Sequence, residues 1–141
     1  MKRIRIINGV NLNMLGKRDK KSYGIFTLEE LYDRIKDFCG ANDILPDFFQ
    51  SNYEGEIVEE IQKSIGKYDG IIINPGAFTH YSYAIRDALE MIDCPIIEVH
   101  ISNVDAREEF RKTSVTAPVC TGSVRGLGWQ GYIVALNYFI I

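Results

Sequence analysis

The stretch Ile71-Ile72-Ile73, led in by Asp69-Gly70 and halted by Asn74-Pro75-Gly76, constrains this chain more than any other. A strand with one face in water alternates polar and apolar residues, so the lack of alternation here reads as a central strand buried on both faces. Such a strand needs helices above and below it, and the rest of the chain alternates strands and helices without a break. Lys2 to Ile7, closed by Asn8-Gly9, is a first strand, and Ile44 to Gln50, weakened by Pro46, is a strand at a sheet edge. Ile96 to His100 is a fourth strand and Val119 to Val124 a fifth. Among the helices, Thr27-Leu28-Glu29-Glu30 is a capping box, followed by Leu28, Leu31, Ile35 and Phe38 at steps of three and four, with Gly40 as the stop. Glu54 to Ile65 carries Ile57, Ile61 and Ile65 on one stripe, and a third helix runs from Thr79 or Tyr81 to Ile92. Asp105-Ala106-Arg107-Glu108 repeats the capping-box pattern over a short helix, and a last helix spans Tyr132 to about Phe139.

Five strands alternating with helices in 141 residues predict a single α/β domain spanning residues 1–141. Right-handed crossovers cover both faces of a parallel sheet, and the expected arrangement is flavodoxin-like and doubly wound, with strand order 2-1-3-4-5. The ligand crevice of that fold lies at the carboxyl ends of strands 1 and 3. Three polar clusters fall at that edge: Asn8 to Tyr23 after strand 1, Asn74 to His80 after strand 3, and Glu98, His100, Ser102 and Asn103 closing strand 4. Each has a bland reading on its own, as a turn or a satisfied structural histidine. Together they are harder to dismiss, because both histidines of the chain, His80 and His100, lie there. Glu98 and His100 stand two apart on a strand, so they face the same side, and the carboxylate can orient the imidazole and stabilise its charged form.

Other classes are poorly served. A net charge of −3, with no basic run longer than Lys20-Lys21, argues against nucleic acid as the partner. Three cysteines without a CxxC pair suggest neither a disulfide framework nor zinc, and fit a cytoplasmic protein. The apolar run Ile4 to Ile7, broken by Arg5, is too short for a signal segment or a membrane span. Gly126-Leu127-Gly128-Trp129-Gln130-Gly131 fits GxGxxG, but the ten residues after it cannot complete a dinucleotide unit. No metal and no cofactor are expected. A receiver-like module of the same fold would need acidic residues or a phosphate loop after strand 1, where this chain has asparagines.

Several blocks then point the same way: Asn8-Gly9-Val10-Asn11-Leu12-Asn13 with Leu15-Gly16; Arg18 with Tyr23-Gly24; Gln50-Ser51-Asn52 with Glu54-Gly55; Asn74-Pro75-Gly76-Ala77 with His80. Arg86-Asp87-Ala88-Leu89 and Glu98-Val99-His100-Ile101-Ser102-Asn103, followed by Arg107 and Arg111, continue the series. From residue 4 to residue 138 the chain resembles the type II 3-dehydroquinate dehydratases, small flavodoxin-like hydro-lyases of the shikimate and quinate pathways. The resemblance implies an anti elimination of water from 3-dehydroquinate through an enolate. That reaction requires a base, a holder for the enolate oxygen, and an acid for the departing hydroxide. It implies Tyr23 as base, Arg18 as its activator, Asn11 with a water as enolate stabiliser, and His100 as general acid supported by Glu98. Asn74, His80, Ser102, the backbone of Ile101, and Arg111 are implied as substrate ligands. Asp87 matches the position by which a neighbouring subunit reaches toward the site, and the family assembles as trimers built into dodecamers.

Tyrosine titrates near ~10, so a tyrosine base needs a cation beside it to favour the phenolate. The chain departs from the family pattern close to that base. Val10 stands where proline is usual, and Asp19-Lys20 stands where Glu-Pro is usual. A mobile lid over about residues 17–24, more loosely ordered without ligand, is the expectation.

Overall fold

Isoleucine-rich strands form the centre of the molecule. The computed structural model describes residues 1–141, and in it five parallel strands stand in the order β2-β1-β3-β4-β5. These are β1 (Lys2–Asn8), β2 (Ile44–Gln50), β3 (Gly70–Asn74), β4 (Ile96–His100) and β5 (Gly122–Arg125). The 2-1-3-4-5 order expected from the alternation is the order observed, with β2, the strand that carries Pro46, at an edge. Every residue of β3 and β4 is buried.

The period of two along each strand divides the core between the sheet's faces. Ile4, Ile6 and Ile72 join Leu31 and Ile35 of α2 (Leu28–Ala41) and Tyr132 and Leu136 of α5 (Gln130–Asn137). Ile7, Ile71 and Ile73 join Ile57 and Ile61 of α3 (Glu54–Lys63) and Ile85 and Leu89 of α4 (Tyr83–Glu90). The Ile71-Ile72-Ile73 run therefore feeds both cores, which is why it lacks alternation. Arg5 is a buried charge in β1, and it pairs with Asp47 and Glu60.

Four local readings change. The Thr27 capping box forms, but α2 passes through Gly40 and ends at the Asn42 cap. The third helix is split: Gly76–His80 is a 3-10 turn, and α4 starts only after Ser82, whose side chain accepts from the Ile85 N–H. Asp105-Ala106-Arg107-Glu108 forms no capping box. Val104–Ala106 and Glu109–Lys112 are 3-10 turns, and Arg107 between them is extended. The fifth strand begins at Gly122, because Ala117–Val119 is itself a 3-10 turn. One short helix, α1 (Lys20–Tyr23), was not foreseen. No helix is long and apolar enough to cross a membrane.

Candidate active site

At the carboxyl ends of β1, β3 and β4 the chain leaves the sheet in three loops, and these border a cleft. Close backbone approach holds two of the loops together. The Gly9 N–H donates to the Asn74 carbonyl at 2.7 Å, and a Cβ on Gly9 would lie 2.4 Å from the Pro75 carbonyl oxygen. Gly76 has φ +64, and a Cβ there would lie 2.6 Å from the Val10 carbonyl oxygen. Gly9 is thus required by contact, and Gly76 by contact as well as by turning.

Asn11 opens the turn after β1 with φ 68, a left-handed conformation that asparagine tolerates. Its N–H donates to Asn52 Oδ1 at 2.9 Å, and its side chain lines the cleft. Next comes the lid. Asp19 caps α1 by accepting from the Lys21 N–H and the Ser22 hydroxyl, and Gly24 closes the turn with φ 72. Two guanidiniums meet Tyr23. Arg18 lies over the ring face, 3.6 Å from its centroid, while Arg107 Nη1 donates to the phenol oxygen at 2.6 Å and to Ser102 Oγ at 3.2 Å. Burial lowers the pKa of Arg18; Tyr23 opposes this, and Arg107 and Arg111 add to it. An arginine so lowered is still a cation at neutral pH.

Across the cleft, β4 presents Glu98 and His100 on one face. His100 Nε2 donates to Glu98 Oε2 at 2.7 Å, which leaves Nδ1 free to exchange a proton with a ligand. Glu98 has no exposed surface and sits behind His100, outside the cleft. Hydroxyls enclose it: Thr79 and Ser114 donate to Oε2 at 3.0 and 3.2 Å, and Thr116 donates to Oε1. Burial pushes the Glu98 pKa up, but the bonds from His100, Thr116 and Thr79 and the His100 charge outweigh it and hold it below the ordinary carboxylate value. His80 is set differently. Its Nδ1 donates to the Thr113 carbonyl at 2.8 Å, and burial, with His100 and Arg111, lowers its pKa despite that bond. At neutral pH the ring is therefore uncharged, and Nε2 is left as an acceptor suited to a hydroxyl.

Nine of the eleven residues singled out from the sequence line this cleft: Asn11, Arg18, Tyr23, Asn74, His80, His100, Ile101, Ser102 and Arg111. Glu98 lies behind it, and Asp87 is exposed on α4, outside the cleft of its own chain. Arg107 also lines it, although the sequence reading gave it no role. Its bond to Tyr23 spans 84 positions, and only its place after the His100 block hinted at it. No group of three or more His, Cys, Asp and Glu side chains is placed to hold a metal ion.

Comparison with known proteins agrees with this geometry. The family model described as "Dehydroquinase class II" matches residues 2–140. A 3-dehydroquinate dehydratase from Thermotoga petrophila is 56% identical over 136 residues, covering 96% of this chain and 93% of its own. The crystal structure of a type II dehydroquinase from Butyrivibrio crossotus superposes with a TM-score of 0.95 at 51% identity, covering 97% of this chain and 96% of that one. A type II dehydroquinase from Propionibacterium acnes gives 0.96 at 38% identity, covering 99% and 97%.

Proposed function

The chain belongs to the class II dehydroquinase family, and on that premise we propose how its cleft dehydrates 3-dehydroquinate to 3-dehydroshikimate. The observation that carries the reading is the pair of opposed walls: a tyrosine between two arginines on one side, a histidine backed by a caged carboxylate on the other. Tyr23, as phenolate, removes the C2 proton. The electron pair of that C–H bond moves onto the C3 carbonyl oxygen as an enolate, which Asn11 stabilises with a water. The enolate then collapses, forming the C1–C2 double bond and breaking the C1–O bond. His100 Nδ1 gives the departing hydroxide its proton, so water leaves, and Glu98 holds the imidazolium until that step.

Arg107 shares with Arg18 the work of favouring the phenolate, since its guanidinium is bonded to the phenol oxygen itself. Ser102, the Ile101 backbone, Asn74, His80 and Arg111 hold the carboxylate and ring hydroxyls. The domain spans residues 1–141, with residues 17–24 as a mobile lid. As in its family, the enzyme serves the shikimate pathway or quinate breakdown. It acts in the cytoplasm as a homo-oligomer of trimers, built into dodecamers, with Asp87 reaching a neighbour's site.

Ultraviolet absorbance of the conjugated product, with 3-dehydroquinate as substrate, tests the mechanism. Wild type is expected to turn over and Tyr23→Phe to lose at least about 10³-fold in kcat. An active phenylalanine variant would remove Tyr23 as the base. Borohydride added with substrate should not inactivate the enzyme, because no lysine imine forms.

A further inference from the structure

Beneath the cleft runs a hydrogen-bonded chain of side chains of which the proposed mechanism uses only Asn74. Asn8 and Asn74 end the central strands β1 and β3 as register partners, and both are buried. Tyr132, fully buried on α5, places its hydroxyl between them. Tyr132 Oη lies 2.6 Å from Asn8 Oδ1 and 3.0 Å from Asn74 Nδ2, while Asn8 Nδ2 lies 3.3 Å from the Tyr32 hydroxyl on α2. Asn74 Oδ1 accepts from the Gly76 N–H at 3.0 Å.

One backbone group sets the direction of the whole chain. A backbone N–H can only donate, so Gly76 holds the Asn74 oxygen on its own side and turns Nδ2 toward Tyr132. Nδ2 donates, so Tyr132 must accept there, and its single proton goes to Asn8 Oδ1. Asn8 then presents Nδ2 to Tyr32. Burial pushes the Tyr132 hydroxyl pKa upward, so the phenol stays neutral and keeps the one proton this order needs. With Oδ1 turned to Gly76 and one N–H engaged by Tyr132, the second N–H is the one free donor of Asn74, and the residue lines the cleft.

We propose that Tyr132 is a positioning residue: by accepting from Asn74 it keeps that amide facing the cleft as a hydrogen-bond donor, selective for an anionic or carbonyl oxygen of the substrate. The proposal rests on the reading of the cleft as the 3-dehydroquinate site. Without the Tyr132 hydroxyl, Asn74 loses the acceptor that holds Nδ2, and its amide can turn its oxygen to the substrate instead.

The test is steady-state kinetics with 3-dehydroquinate on the oligomer as purified, for wild type, Tyr132→Phe, Asn74→Ala and the double variant. Tyr132→Phe should raise KM about tenfold while kcat stays within about threefold. In the Asn74→Ala background the same change should add almost nothing, because the two act as one unit. A KM within about twofold of wild type in a folded Tyr132→Phe, a fall confined to kcat, or fully additive losses would overturn the proposal. Neutron diffraction from deuterated wild-type crystals reads the same point without activity or a variant. A Tyr132 deuteron directed at Asn8 supports it, and one directed at Asn74 overturns it. A wild type that binds but does not dehydrate 3-dehydroquinate would count against the functional reading, while the neutron result still decides the role of Tyr132.

Discussion

Thr79 and Thr116, both almost fully buried, direct their hydroxyls at Glu98, whose other large interaction is with His100. A carboxylate that accepts from this many donors is held ionised, and the linkage has a definite sign. The folded-state pKa of Glu98 lies below its ordinary 4.5, so the stability it contributes is fully present above that value and is lost as pH falls through the depressed one. Urea midpoints measured from pH 6 downward should therefore fall more steeply for wild type than for Glu98→Gln once the pH is below 4.5. Equal slopes would mean that Glu98 is not held ionised in the fold. His80 has the same sense from the opposite chemistry: its lowered pKa favours the neutral ring in the fold, and that preference works against the folded state as acid protonates it.

Elements differ in how well they could be read along the chain. β3 and β4 lie where the apolar runs Ile71–Ile73 and Ile96-Ile97 put them, because strands buried on both faces show unbroken apolar stretches in place of alternation. The Asp105-Ala106-Arg107-Glu108 helix failed because a long-range demand overrode a local one: Arg107 is extended and bonds Tyr23 and Ser102. Positions on β4, such as Glu98 and His100, could be paired by their spacing of two, whereas the hydroxyl cage comes from separate loops with no common period. The Pro75-Gly76 turn shows a similar limit, since only the fold reveals that Gly76 touches Val10. Gly76→Ala, with φ +64 and a Cβ 2.6 Å from a carbonyl oxygen, should cost at least about 1–2 kcal/mol in urea unfolding and raise KM by separating the two loops. In α1, Lys20 holds the first helical position, where proline is pre-organised and no intrahelical N–H bond is lost. Lys20→Pro should lower KM for 3-dehydroquinate and slow proteolysis within residues 17–24, by reducing the entropy lost on lid ordering.

At the scale of the whole molecule, a cleft bordered by three loops of one chain leaves Asp87 unused, exposed on the surface of α4. If a neighbouring subunit's site needs it, Asp87→Ala and Tyr23→Phe should each be nearly inactive alone and complement each other when mixed. With random exchange of subunits in a ring, a site is competent when its own chain supplies the tyrosine and its neighbour the aspartate, so about a quarter of wild-type activity should return after unfolding and refolding at a 1:1 ratio. Activity no greater than that of the separate variants would show that Asp87 serves only its own chain. Burial separates the segment bearing Tyr23 from the strand bearing His100. α1 buries none of its residues, whereas His100 and Glu98 lie in a strand that is buried throughout. Substitutions in the segment bearing Tyr23 therefore perturb the fold far less than substitutions around His100. A change in that segment can therefore reposition Tyr23 while the buried sheet stays as it is.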